Sequence, residues 1–182
     1  GVLCAHYRAD QLAALLPSLE AESGLPLQLV IEETPLGTGG AVLNALLQVP
    51  PGGRYLVLNA DTFLDPCAYR LALDSERDVL VGVQVDDRSR YGSLDCSALG
   101  EVLGFEEKGQ VGPGLINAGV YGFTAGALEN MPVTSCSMEH DLLPSLMRQH
   151  RLYVREYSGA FVDIGTPDSL DAFKSKLRGS AV

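Results

Sequence analysis

The sequence predicts an α/β fold built on a mostly parallel, mixed sheet, and three observations carry that prediction. Apolar runs without polar alternation, such as Tyr55–Leu58 and the middle of Asp78–Val85, are what strands buried on both faces require. Stretches with helical spacing fall between such runs, so strand and helix alternate along the chain. The 182 residues, 46% of them hydrophobic, suffice for one substantial core and are read as a single domain over 1–182.

The elements follow in order. Val2–Tyr7 reads as a strand, and Leu12, Leu15, Leu16 and Leu19 then recur at helical spacing over Ala9–Leu19. Leu27–Ile31 is the next strand. A turn-rich stretch, Thr34-Pro35-Leu36-Gly37-Thr38-Gly39-Gly40, opens into the good helix formers of Ala41–Leu47, and Pro50-Pro51-Gly52-Gly53 stops that helix. Tyr55–Leu58 is expected to be a central strand, followed by a helix over Pro66–Leu73 and the strand Asp78–Val85. The character then changes. Tyr91–Leu94, Val102–Phe105 and Gly119–Phe123 are strand-like pieces separated by turns, which predicts an antiparallel excursion over 86–123. Ser137 is the N-cap expected for a helix over Met138–Gln149, and Thr166-Pro167 opens a last helix reaching Lys176.

Composition narrows the function. A net charge of −10 argues against nucleic acid as a partner, because phosphate backbones demand a dense Lys/Arg surface. No apolar run approaches the roughly 20 residues that a bilayer span needs, so no membrane partner is expected. Lys174 and Lys176 lie near the C-terminus, which leaves Lys108 as the only lysine elsewhere. Cys4, Cys67, Cys96 and Cys136 are scattered, with no metal-ligand or disulfide spacing. The N-terminal stretch lacks the layout of a signal peptide. Reduced thiols in the cytoplasm are the expectation.

Open α/β sheets bind ligands at the carboxyl ends of their strands. Asp61, after Tyr55-Leu56-Val57-Leu58-Asn59-Ala60, and Asp163, after Ala160-Phe161-Val162, are carboxylates at such ends. A strand-end aspartate is also a common turn or cap residue, but two on neighbouring strands suit magnesium, which takes one or two carboxylates and completes its shell with water and phosphate. The stretch Leu36-Gly37-Thr38-Gly39-Gly40-Ala41 allows close approach of backbone to ligand at a helix start, while matching neither phosphate-loop pattern.

Taken in order, Glu32…Leu36-Gly37-Thr38-Gly39-Gly40, Asn59-Ala60-Asp61, Arg90-Tyr91-Gly92, Phe105-Glu106-Glu107-Lys108, Asn117-Ala118-Gly119-Val120-Tyr121, Ser137 to Pro144 and Asp163-Ile164-Gly165-Thr166-Pro167 resemble the sugar-1-phosphate nucleotidyltransferases. Within that family the resemblance is greatest to guanylyltransferases acting on mannose 1-phosphate or glycero-manno-heptose 1-phosphate. It implies a Rossmann-like three-layer α/β sandwich of the nucleotide-diphospho-sugar transferase type. The implied reaction is attack of a sugar 1-phosphate on the α-phosphorus of an NTP, with release of pyrophosphate.

The same resemblance assigns residues. Asp61 and Asp163 would ligate Mg2+. Leu36, Gly37, Thr38 and Asn59 would meet the nucleotide, with Gly37 and Thr38 acting through backbone groups. Glu107 would take a sugar hydroxyl and Lys108 the sugar phosphate, so that Lys108 joins the two aspartates as a catalytic group, and Tyr91, Gly92 and Asn117 would line the sugar pocket of the 86–123 excursion. Asn117 has an alternative as a structural hydrogen-bonding amide. Glu32 could accept from both N1 and N2 of guanine, which favours GTP, although Glu33 or the backbone could read the base instead. His6, His140 and His150 receive no role. Family members begin with a strand and a G-x-G-T-R loop followed by a P-K pair, none of which is present, so a fragment lacking its first strand is expected. That lack keeps a catalytically silent sugar-nucleotide-binding homologue in view. A D-x-D glycosyltransferase is disfavoured by the spacing of Asp61 and Asp65. A homo-oligomer is left open.

Overall fold

The computed structural model describes residues 1–106 and 108–179. In chain order the elements are β1 (Val2–Ala5), α1 (Ala9–Ser23), β2 (Gln28–Ile31), α2 (Gly37–Gln48), β3 (Tyr55–Leu58), β4 (Thr62–Leu64), α3 (Pro66–Leu73) and β5 (Asp78–Val85). They continue with β6 (Ser93–Cys96), β7 (Val102–Glu106), β8 (Gly114–Phe123), a π-helical turn (Met138–Leu142), α4 (Leu143–Arg148), β9 (Leu152–Tyr157), β10 (Phe161–Asp163) and α5 (Pro167–Gly179). Two compact units form: Gly1–Gly53 with Leu128–Leu146, and Arg54–Ala127 with Met147–Val182.

In the first unit, β1 and β2 pair in parallel from Val2↔Gln28 to Ala5↔Ile31. Helix α1 makes the crossover. Helix α2 begins at Gly37, four residues before the expected start, because the N–H groups of Gly39 and Gly40 donate to Cys136 O at 2.9 and 3.2 Å and so draw the glycines into the first turn. Gly37 itself has φ +70°, and a Cβ there would lie 2.6 Å from Cys136 O, so only glycine fits. The helix expected over Met138–Gln149 opens as a π turn. Pro144 explains it: its ring crowds the carbonyl four residues back and it offers no N–H, so Leu143 N–H bonds to Met138 O instead. The expected cap holds, with Ser137 Oγ accepting from His140 N–H at 3.2 Å.

The second unit carries a six-stranded mixed sheet in which β5 lies between β8 and β9. β3, β5 and β9 run the same way; β8 runs against them, antiparallel to β3 and β5, while β5 and β9 are parallel. The sheet is therefore mixed, as expected, but among the described strands antiparallel pairings outnumber parallel ones. β6 and β7 form an antiparallel hairpin, and Ser93 of β6 pairs with Ile116 of β8. Among the described strands β3 pairs only with β8, so it stands at an edge where the sequence suggested a centre. A continuous apolar run signals a strand but does not say which neighbours it takes. β4 and β10 form a separate antiparallel pair, Phe161↔Leu64 to Asp163↔Thr62, which the sequence reading did not contain.

The core of this unit packs α3 on the sheet. Ala68 and Ala72, one turn apart and fully buried, let the helix lie close over Val79, Val81, Val120 and Leu64. At the amino end of β5, Asp78 is closed off: Oδ1 accepts from Thr124 N–H and Oγ1–H, both at 2.8 Å, and Oδ2 accepts from Arg151 Nη2 at 2.8 Å. Beside it, Arg54 donates to the carbonyls of Ala72, Arg77 and Gly122 at 2.6–2.9 Å through Nη2, tying α3 to the sheet.

Candidate functional site

At the carboxyl side of the same unit the chain leaves β3 and reaches Asp61 just before β4, while Asp163 ends β10. The β4–β10 pairing sets Asp163 opposite Thr62, and Ile164 N–H donates to Asp61 O at 2.8 Å. The two carboxylates converge. A Cβ built on Gly165 would sit 3.0 Å from Asp163 Oδ1 and 3.0 Å from Asp61 Oδ2, so the absent side chain at 165 is what keeps the space between them open. Asp163 Oδ1 accepts from Gly165 N–H at 2.8 Å, which fixes its carboxylate plane. The carboxylate of Asp61 makes no hydrogen bond or ion pair among the described residues.

This donor set is small. Among the described residues no group of three or more His, Cys, Asp or Glu converges on one point. Two carboxylates around a space that a methyl group would fill suit a hard divalent ion that keeps water and phosphate in its shell, and suit poorly a metal needing an all-protein cage. A positive charge already stands there: Arg90 Nη2 lies 3.0 Å from Asp163 Oδ2. The sequence reading quoted Arg90 within a motif and gave it no role. An ion pair across this distance in the chain leaves no local signal.

Of the expected sugar residues, Gly92 and Asn117 join a network with Asn59, Gly119 and Tyr121. Gly119 has φ +72°, and a Cβ on it would lie 2.5 Å from Asn59 Nδ2, so glycine admits the Asn59 side chain; Asn59 N–H also donates to Gly119 O at 2.8 Å. Asn117 Oδ1 accepts from Gly119 N–H at 3.1 Å and its Nδ2 donates to Tyr121 Oη at 2.8 Å. The amide thus has the structural role that was its alternative reading. Gly92 O accepts from Asn117 N–H at 3.2 Å. Tyr91 sits edge-on to Phe161 with ring centroids 5.5 Å apart, and burial pushes its hydroxyl pKa above the ordinary range. Lys108 is exposed in the turn after β7, with no partner for its ammonium among the described residues. Glu107 lies outside the described residues.

In the other unit, Glu32 is buried, and its Oε2 accepts from Leu36 N–H at 2.8 Å, shaping the turn before α2. Leu36 O accepts from Cys136 N–H at 2.9 Å, and Thr38 Oγ1 accepts from Met138 N–H at 2.9 Å. Much of the Leu36–Gly40 polar surface is therefore engaged with the 136–138 backbone. Among the described residues, the N–H groups of Gly37 and Thr38 remain as the donors at the head of α2.

The family model described as Nucleotidyl transferase matches residues 2–179. The catalytic subunit beta of mannose-1-phosphate guanylyltransferase from Dictyostelium discoideum is 31% identical over 173 residues, covering 91% of this chain and 48% of that protein. D-glycero-alpha-D-manno-heptose 1-phosphate guanylyltransferase from Campylobacter jejuni is 31% identical over 145 residues, 80% of this chain and 65% of that one. Among solved structures, HddC from Yersinia pseudotuberculosis has a TM-score of 0.80 at 33% identity, covering 97% of this chain and 77% of its own. HddC complexed with GMP-PN has a TM-score of 0.77 at 32% identity, with the same coverage. The chain spans about half the length of the mannose-1-phosphate guanylyltransferases it matches.

Proposed function

Because the chain belongs to the nucleotidyl transferase family, we propose that it serves a sugar-1-phosphate guanylyltransferase reaction, joining mannose 1-phosphate or a manno-heptose 1-phosphate to GTP with release of pyrophosphate. The observation that carries the reading is the convergence of Asp61 and Asp163 around Gly165. Two carboxylates face one small space, and with a single arginine between them they leave a negative charge for a cation to offset. The names of the relatives support guanine and a manno-configured sugar.

In this reading Asp61 and Asp163 hold Mg2+, which when bound would supply charge neutralisation and alignment for phosphoryl oxygens. The chain's own residues do the rest. Gly165 N–H keeps the Asp163 carboxylate turned toward the ion. Asn117, locked by Gly119 and Tyr121, gives the sugar side a rigid wall, and Lys108 offers a mobile ammonium to the sugar phosphate. Gly37 and Thr38 present N–H groups to the nucleotide, and Glu32, with one oxygen on Leu36 N–H, keeps its other oxygen for a base-edge donor. No nucleophilic side chain is needed, since the sugar phosphate brings its own anionic oxygen and the gain comes from alignment.

The test is pyrophosphate release by this chain with Mg2+, using mannose 1-phosphate and heptose 1-phosphate against GTP, UTP, CTP and dTTP. GTP with one of the two sugars should be the productive pair. Binding of the nucleotide sugar with no pyrophosphate release from any pair would overturn the transferase reading.

A further inference from the structure

We propose that Arg90 is a resident counter-cation of the carboxylate pair, displaced from Asp163 when a divalent ion binds and then free to pair with the phosphoryl group of the sugar phosphate. This inference rests on the reading of the site given above. Asp163 uses its two oxygens differently: Oδ1 is fixed by Gly165 N–H at 2.8 Å, whereas among the described residues Oδ2 is hydrogen-bonded by Arg90 Nη2 alone, at 3.0 Å. A cation entering between Asp61 and Asp163 meets a carboxylate that already carries a positive partner, and two cations on one carboxylate repel. Arg90 is the one able to yield. Its side chain is 53% exposed against 20% for Asp163, and among the described residues its other polar or ring interaction is with Tyr91, whose ring centroid is 5.8 Å from Cζ.

Its position in the chain gives the released guanidinium a destination. Arg90 immediately precedes Tyr91 and Gly92, and Gly92 O is hydrogen-bonded to Asn117 N–H, so the arginine is rooted on the wall assigned to the sugar while its head reaches the metal carboxylate. A planar fork of donors suits a phosphate oxygen pair better than an ammonium does. One side chain would thus offset one of the two carboxylate charges before the ion binds and afterwards bind the sugar phosphate.

Mn2+ is the probe, counted by the loss of its free-ion electron paramagnetic resonance signal. Arg90→Ala and Arg90→Gln should each bind Mn2+ about two- to fivefold more tightly than the unaltered protein without substrate, since an exposed competing ion pair is removed. Arg90→Lys should stay near the original affinity. With Mn2+ saturating, Arg90→Ala should bind the sugar 1-phosphate about tenfold more weakly by calorimetry, the size of one charge-assisted hydrogen bond. Unchanged or weaker Mn2+ binding in both Arg90→Ala and Arg90→Gln overturns displacement and leaves the metal reading standing. No Mn2+ binding by the unaltered protein overturns both. Tighter Mn2+ binding with unchanged sugar phosphate affinity overturns the second role of the guanidinium.

Discussion

Asp78 and Asp163 belong to the same unit, and each takes an arginine, yet they are built for opposite ends. Asp78 has a side chain 3% exposed, with Thr124 saturating one oxygen and Arg151 the other at 2.8 Å. Asp163 is 20% exposed, has a partner exposed by 53%, and faces Asp61, a second carboxylate that has no partner among the described residues. A buried carboxylate with both oxygens answered holds a fold together and has little left to offer a ligand. One with an exchangeable partner and a like charge across a gap contributes little to stability and is ready for an incoming cation.

The contrast can be broken most sharply by isosteric amides. Asp61→Asn and Asp163→Asn should each lower turnover by about 10²–10³-fold, the scale of losing one preorganised electrostatic group, with thermal melting unchanged or slightly raised. Retained activity in either, or unfolding of both, would erase the distinction. Asp78→Ala should show the reverse pattern. Leaving Arg151 and the Thr124 groups without their acceptor should cost about 3 kcal/mol in urea denaturation, while the folded fraction keeps its KM for sugar phosphate.

Gly165→Ala probes the gap itself. The added methyl would stand 3.0 Å from an oxygen of each carboxylate, so Mn2+ affinity should fall about tenfold with a stability change within about 0.5 kcal/mol, as for an exposed substitution. A variant that binds the ion normally would mean that the carboxylates converge for another reason. The smallest effect belongs to a group at neither pole. Burial, then the charges of Asp95 and Glu156, push the Cys96 thiol up to about 11. Its folded pKa exceeds its unfolded one, so the stability it confers is fully present below the ordinary thiol range and is lost as pH rises toward 11. Denaturation midpoints should decline across that window, and Cys96→Ser should flatten the decline. An identical slope in the variant would remove Cys96 from the account.

Much of this was legible in the residues, and the limits have physical reasons. The strand Asp78–Val85 announced itself by the apolar stretch at its middle, and Ser137 and Thr166 by cap chemistry; Thr166 Oγ1 accepts from Ser169 N–H at 3.2 Å. These are local signals. The start of α2 was misplaced because glycines read as a loop until the Cys136 carbonyl that draws them into a helix is known. The π turn needed the steric effect of Pro144 on a carbonyl four residues earlier. Asp61 and Asp163 could be picked out as strand-end carboxylates, but the pairing that brings them together, β4 with β10, uses two three-residue strands too short to show a period. Arg90 escaped for the same reason: its partner lies 73 positions away.

That short pairing has a consequence for how the protein comes into being. Asp61 is synthesised well before Asp163, and neither alone presents more than a single carboxylate. In the proposed reading, a ribosome-bound chain that has not yet released β10 holds only half of the ion's site, however well its large sheet has formed. In that reading, ion binding reports on a chain in which β4 and β10 have paired, and a bound ion would resist the reopening of that three-residue seam.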